Sequence, residues 1–177
     1  MESYPVYTIG HSTKTLDQFV DIVKGFSIGM IIDVRTVPRS RTNPQYNLDT
    51  FGQQLANVGI GHEQIAQLGG LRKKSRTVGD EVNSFWDNRS FHNYADYALS
   101  DEFEEGLDRL LELSRTQRCA IMCAEAVWWR CHRRIIADYL LLRGIEVIHI
   151  MDKDKSTKAV LNPAAKVTGL KLTYPAS

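Results

Sequence analysis

Apolar positions along this chain alternate between strand-like runs and stripes at helical spacing. Val6-Tyr7-Thr8-Ile9 predicts a first strand that ends at Gly10. Thr15, with Gln18 three residues later, predicts a capping box for a helix carrying Phe19, Ile22, Val23 and Phe26 on one stripe. Met30-Ile31-Ile32-Asp33-Val34 is nearly unbroken in its apolarity, as in a strand covered on both faces. Asn47 is a candidate cap for a second helix bearing Leu48, Phe51, Leu55 and Val58, with Gly59 as its stop. A short third strand is expected between His62 and Gln67. Asp101 and Glu104 open a helix with Phe103, Leu107, Leu110 and Leu111 on one face. Cys119 to Cys123 reads as a buried strand, and Ile135, Ile136, Tyr139 and Leu140 as a helix that stops at Gly144. Ile145 to Ile150 is the last sheet strand.

This alternation predicts an α/β fold: a single three-layer domain with a mostly parallel sheet of about five strands flanked by helices. The domain spans residues 1–151 on this reading. Residues 152–177 form a C-terminal tail, either packed on the domain or partly disordered, with a weak strand signal from Leu170 to Tyr174. From Gly70 to Ser90 no periodicity is sustained. A loop of that length is a flap over a site or a disordered excursion.

Composition narrows the partners. The 177 residues carry a net charge of +1, so no global field draws the chain to nucleic acid or to a membrane surface. No apolar run approaches the ~20 residues that span a bilayer, and Met1 to Pro5 lacks the pattern of a signal peptide. Cysteine occurs three times, an odd count that argues against a disulfide framework. A reducing, cytoplasmic location is the expectation.

Chemistry concentrates between Cys123 and Arg134. This stretch holds two thiols (Cys123, Cys131), one carboxylate (Glu125), one imidazole (His132), the guanidiniums Arg130, Arg133 and Arg134, and the indoles Trp128 and Trp129. It joins a predicted strand to a predicted helix. A thiol at a helix start beside guanidiniums drops towards the neutral range and becomes a nucleophile. Either cysteine suits that role, with Cys123 first and Cys131 second. A helix start lined with arginine opposes the helix dipole unless an anion or a carboxylate answers it. Glu125 or Asp33 would serve internally, and a phosphate-like ligand would serve from outside. Structural zinc is disfavoured, because seven residues separate the two cysteines. No metal or cofactor is assigned.

Two other motifs end predicted strands. Gly10-His11-Ser12 follows the first, and Asp33-Val34-Arg35 ends the second before Pro38-Arg39-Ser40-Arg41. Parallel strands would bring all three motifs to the carboxyl edge of the sheet, where α/β folds bind ligands. Together these motifs resemble the domain of unknown function family 488. The resemblance runs from about Tyr7 to Met151. It rests on Thr8-Ile9-Gly10-His11-Ser12, Asp33-Val34-Arg35 with Pro38 and Ser40, and Leu68-Gly69-Gly70. It continues through Phe91, Tyr94-Ala95, Tyr97, Cys123-Ala124-Glu125, Cys131-His132-Arg133 and His149. The resemblance implies a single α/β domain and no particular reaction. A looser likeness to phosphatase and rhodanese sites fails in two places. Arg130 lies seven residues after Cys123 rather than six, and Val127, Trp128 and Trp129 are bulky for a tight anion cradle.

The leading expectation is a thiol-containing enzyme, a cysteine-dependent hydrolase or transferase, acting on a small anionic, phosphate-like substrate. Its proton-transfer candidates are His11, Glu125 and His132. Its anion-binding candidates are Ser12, Asp33, Arg35, Ser40, Arg130, Arg133 and Tyr94. The alternative is a nucleic-acid or nucleotide-binding module without catalysis, in which Arg39, Arg41, Arg72, Lys73, Lys74 and Arg76 track phosphates and Trp128 or Tyr94 stacks a base. Oligomeric state is left open.

Overall fold

The computed structural model describes residues 3–176. β1 (Val6–Gly10) is buried along its whole length. α1 (Leu16–Gly25) starts at the expected capping box: Gln18 N donates to Thr15 Oγ1 at 3.1 Å, and Thr15 N donates to Gln18 Oε1 at 2.9 Å. Two orphan amides are satisfied by one residue pair, which fixes where the helix begins. β2 (Met30–Asp33) follows, then α2 (Leu48–Asn57) and β3 (Gly61–Gln64). Asn47 occupies the cap position of α2, yet its side-chain oxygen accepts from Ser40 N at 2.8 Å and so shapes the preceding loop.

α3 (Arg89–Tyr97) was not expected from periodicity. Asn88 caps it by accepting from the amides of Ser90 and Phe91. α4 (Asp101–Ser114) leads to β4 (Cys119–Cys123), and α5 (Arg133–Leu142) to β5 (Val147–Asp152). Gly59 and Gly144 adopt φ near +80° after α2 and α5, the left-handed stop that glycine accepts without strain. β6 (Lys155–Lys158), β7 (Lys166–Thr168) and β8 (Lys171–Thr173) complete the chain.

Six strands form one sheet in the order β3-β2-β4-β1-β5-β6. The first five are parallel, and β6 pairs antiparallel with β5 at the edge. The domain is therefore α/β, with a mostly parallel sheet flanked by five helices. Each strand feeds two cores because successive side chains point to opposite faces. On one face Phe19, Ile22, Phe51 and Leu55 of α1 and α2 cover Ile31, Ala120 and Met122. On the other, Phe103, Leu107, Ile136 and Tyr139 of α4 and α5 cover Val6, Ile121 and Cys123. Cys123, Thr8 and His149 share this second face, where the parallel register sets Gly10 beside Cys123 and Thr8 beside His149.

The segment after Gly70 and the C-terminal residues are tied to each other. Asn83, fully buried, donates to Asp96 at 2.7 Å and accepts from Tyr174 N at 2.8 Å. Trp86 packs against Phe91 and Tyr174. Leu172 and Tyr174 have no exposed surface and belong to the α4/α5 core. Among the described residues, no helix is long and apolar enough to cross a membrane.

Candidate functional site

The loop after β4 turns back over the carboxyl edge of the sheet. It can do so because Gly10 has no Cβ. A Cβ there would overlap the Glu125 carbonyl. Trp128–Arg130 form one 3-10 turn, after which Cys131 and His132 lead into α5. The turn is anchored by Trp128, whose ring stacks on His149 at 4.4 Å and 3°. Cys131 thereby returns to Cys123, with the two sulfurs 2.6 Å apart.

Arg133 sits beneath this pair and is 1% exposed. Its Nε donates to Cys123 Sγ at 3.1 Å, Nη1 to Thr8 Oγ1 at 3.1 Å and Nη2 to the Glu125 carbonyl at 2.8 Å. Its backbone amide, in the first turn of α5, donates to Cys131 Sγ at 3.4 Å. Among the described residues no carboxylate pairs with it: Asp33 is committed to Arg35, and the Glu125 side chain is exposed. A buried guanidinium without a carboxylate costs several kcal/mol unless another anion answers it. The nearest groups that can ionise are the two sulfurs.

His132 completes the arrangement. Its Nε2 lies 2.7 Å from the Val34 carbonyl, which can only accept, so Nε2 carries a proton. Nδ1 therefore faces Cys131 Sγ, 3.4 Å away. Tyr94 packs edge-on against the imidazole at 5.0 Å, and Gly70 lies so close to the ring that a Cβ would overlap it. The sulfurs share a proton unevenly. Burial pushes the Cys123 thiol well above its ordinary value, and the Cys131 charge adds to this. Burial opposes ionisation of Cys131 too, but the hydrogen bond from Cys123, the His132 imidazole and Arg133 outweigh it and hold Cys131 well below the ordinary value.

A cleft of about 450 Å³ opens over the pair. Of the expected site residues, it brings together Arg35, Cys123, Glu125, Arg130, Cys131 and His132. Its remaining wall includes Asn88 and Ser90 at the start of α3, and Val37, Leu71 and Phe91 on an apolar side. Two helix N-termini thus face the cleft, and both favour negative charge. Sequence reasoning passed over Asn88 and Ser90. The signal was present: Phe91, Tyr94, Ala95 and Ala98 repeat at helical spacing behind an Asn cap.

A second cleft, of about 510 Å³, adjoins the first across Arg35, Val37, Ala124 and Glu125. His11, Ser12 and Ser40 line it. His11 Nδ1 donates to the Ser12 carbonyl at 2.8 Å, Nε2 lies 3.4 Å from Arg35 Nη1, and the ring stacks on Tyr46. Burial lowers its pKa to about 4, so it is held neutral at pH 7. Ser12 adopts φ 49°, a left-handed conformation uncommon outside glycine. The Ser40 hydroxyl is occupied by the amides of Thr42 and Asn43. Asp33, Arg133 and Tyr94 line neither cleft. Asp33 grips Arg35 through two bonds of 2.9 and 2.7 Å, while Tyr94 is wholly buried and donates to the Leu68 carbonyl. Among the described residues no three His, Cys, Asp or Glu side chains gather as a metal set.

The family model described as Domain of unknown function DUF488 matches residues 15–140. That stretch contains Cys123, Cys131, His132, Arg133 and every residue lining the first cleft, whereas His11 and His149 lie outside it. No curated protein and no solved structure gave a match. With most of its length covered by that model, the chain belongs to the family of the domain of unknown function DUF488.

Proposed function

We propose that this protein is a cysteine-dependent hydrolase or transferase for a small substrate that carries an anionic group and an apolar body. One observation carries the reading: Arg133 is buried without a carboxylate, with its guanidinium on Cys123 Sγ and its backbone amide on Cys131 Sγ, and the two sulfurs in contact. A thiolate supplies the missing charge. Of the two cysteines, Cys131 is the nucleophile. Both sulfurs line the cleft, but Cys131 alone has an imidazole beside it. Cys123 keeps its proton and donates it to the Cys131 thiolate as a hydrogen bond.

On this reading Cys131 passes its proton to His132 and attacks the substrate's electrophilic centre. The Val34 carbonyl orients the imidazole, as the third member of a thiol–histidine site does. His132 then protonates the leaving group. Water, or a second acceptor, releases the transferred group from sulfur. Arg130, the charge of Arg35 and the start of α3 receive the anion, while Val37, Leu71 and Phe91 meet its apolar part. His11 and Tyr94 act through position: His11 holds Arg35, and Tyr94 backs His132. The three free thiols suit a cytoplasmic setting.

The nucleic-acid reading has less behind it. Tyr94 is buried and one face of Trp128 is already stacked on His149, so the two rings named for stacking a base are largely committed to the fold. The test of the anion site is a pair of alkylations on the full chain. Iodoacetate, relative to iodoacetamide, should react with Cys131 more favourably than it does with free cysteine, and inorganic phosphate should slow both. A preference for the neutral reagent together with indifference to phosphate would remove the anionic substrate.

A further inference from the structure

The hydrolase or transferase reading gives Cys123 only a supporting hydrogen bond. Its position suits more than that. Cys123 ends a strand, Cys131 ends the loop that folds back on it, and the two sulfurs touch with no other side chain between them. Both are free thiols. Cys119 is no competitor. It lies four residues earlier on the same strand, about 13 Å away along the sheet, well beyond the reach of a disulfide.

We infer that Cys123 and Cys131 form a two-electron redox couple, in which Cys131 reduces a small hydroperoxide and Cys123 resolves the product as an internal disulfide. This rests on Cys131 being the nucleophile of the first cleft. The Cys131 sulfur attacks the outer peroxide oxygen. An S–O bond forms, the O–O bond breaks, and the departing alkoxide or hydroxide takes the proton that His132 accepted from Cys131. Cys131 is now a sulfenic acid. Cys123 sulfur attacks it, an S–S bond forms, the S–O bond breaks, and hydroxide leaves with the Cys123 proton as water. The peroxide gains two electrons and the thiol pair loses two.

Three features favour each step. Cys131 lines the cleft but is only 6% exposed, so a compact oxidant reaches it more readily than a protein thiol. Arg130 at the mouth and the His132 proton stabilise the departing oxygen. Resolution needs no unfolding, because the second sulfur is already in contact. Oxidation also silences the nucleophile, and the disulfide removes the Cys131 charge beside Arg133.

The experiment treats the reduced full chain with hydrogen peroxide beside an equal amount of free cysteine, then maps thiols and intact mass. The expected product is two hydrogens lighter, with free thiols falling from three to one and a Cys123–Cys131 linked peptide. It forms before the free cysteine is consumed, and dithiothreitol restores all three thiols. Cys123→Ser should instead gain oxygen at Cys131. A wild-type chain that keeps three thiols, gains oxygen without losing hydrogen, links any other pair, or reacts no faster than free cysteine overturns the inference. Iodoacetamide applied to the reduced chain at neutral pH separates this failure from the larger one. Rapid labelling of Cys131 leaves the nucleophile standing without the redox step, and no labelling removes the nucleophile itself.

Discussion

At the residue scale, the central relation is between Arg133 and the two sulfurs. The sequence identified the cluster and put Cys123 ahead of Cys131; the proposal reverses that order, because it draws on contacts from Val34, Thr8 and the start of α5, which no local pattern records. The expectation that Arg133 needed an answering anion was legible. Which anion was not: both carboxylates offered from the sequence, Glu125 and Asp33, point elsewhere. Two substitutions separate the groups. His132→Ala should slow Cys131 alkylation in mild acid about tenfold, by moving the onset of the thiolate to higher pH. Arg133→Met should slow it similarly and lower thermal stability, since removing the guanidinium leaves the buried sulfur charge and the Thr8 and Glu125 acceptors unanswered. A large loss of stability in Arg133→Met with no change in alkylation would make the arginine purely structural.

At the scale of elements, legibility followed locality. The α1 capping box is a four-residue signal and was read correctly. Replacing Thr15 with Ala should cost about 1 kcal/mol in urea unfolding without touching the thiols. The third strand is shorter than expected, Gly61–Gln64; the strand expected to be last in the sheet begins two residues late, at Val147, and β6, in the expected tail, adds an antiparallel edge after it. Strand ends depend on where neighbours stop pairing, which no local pattern records. α3 was missed because its polar members Arg89, His92 and Asn93 obscure the stripe of Phe91, Tyr94, Ala95 and Ala98. Gly10 shows how an element's end positions the site. Gly10→Ala would collide with the Glu125 carbonyl and push the loop off the sheet. Loss of Cys131 reactivity at neutral pH, even where the chain still folds, is the expected result. Unchanged reactivity would mean that the loop does not depend on this close approach.

At the scale of the whole molecule, alternation of strand and helix predicted the α/β class and the convergence of three strand-end motifs. It could not yield the strand order, which sets β4 between β2 and β1 and so brings Cys123 between the Arg35 and His11 motifs. Nor could it show the C-terminal residues closing the α4/α5 core. Tyr174→Ala should cost about 3–5 kcal/mol, as for other buried aromatic truncations. Stability should also fall in mild acid. Burial holds both His11 and His149 at about 4 in the fold, against 6.5 for the free side chain. A base with a depressed folded pKa binds more protons when unfolded, so its contribution is present above pH 6.5 and is lost as pH falls towards 4. Burial raises Asp138 to about 6, and this group works in the opposite sense by taking up a proton in the fold. Burial lowers His62 as it does His11 and His149, so three histidines against Asp138 leave a net loss, visible as a falling urea midpoint between pH 6.5 and 4. The double variant His11→Gln, His149→Gln should flatten that slope.

The account stands or falls on the charge state of one sulfur. Thiolate absorbance of the reduced full chain, followed across pH and compared with Cys131→Ser, reads that charge directly. The account predicts one thiolate already present at neutral pH in the wild type, titrating well below an ordinary cysteine and absent from Cys131→Ser. A wild-type curve in which no thiolate appears until the ordinary cysteine range, or one that Cys131→Ser leaves unchanged, would contradict it.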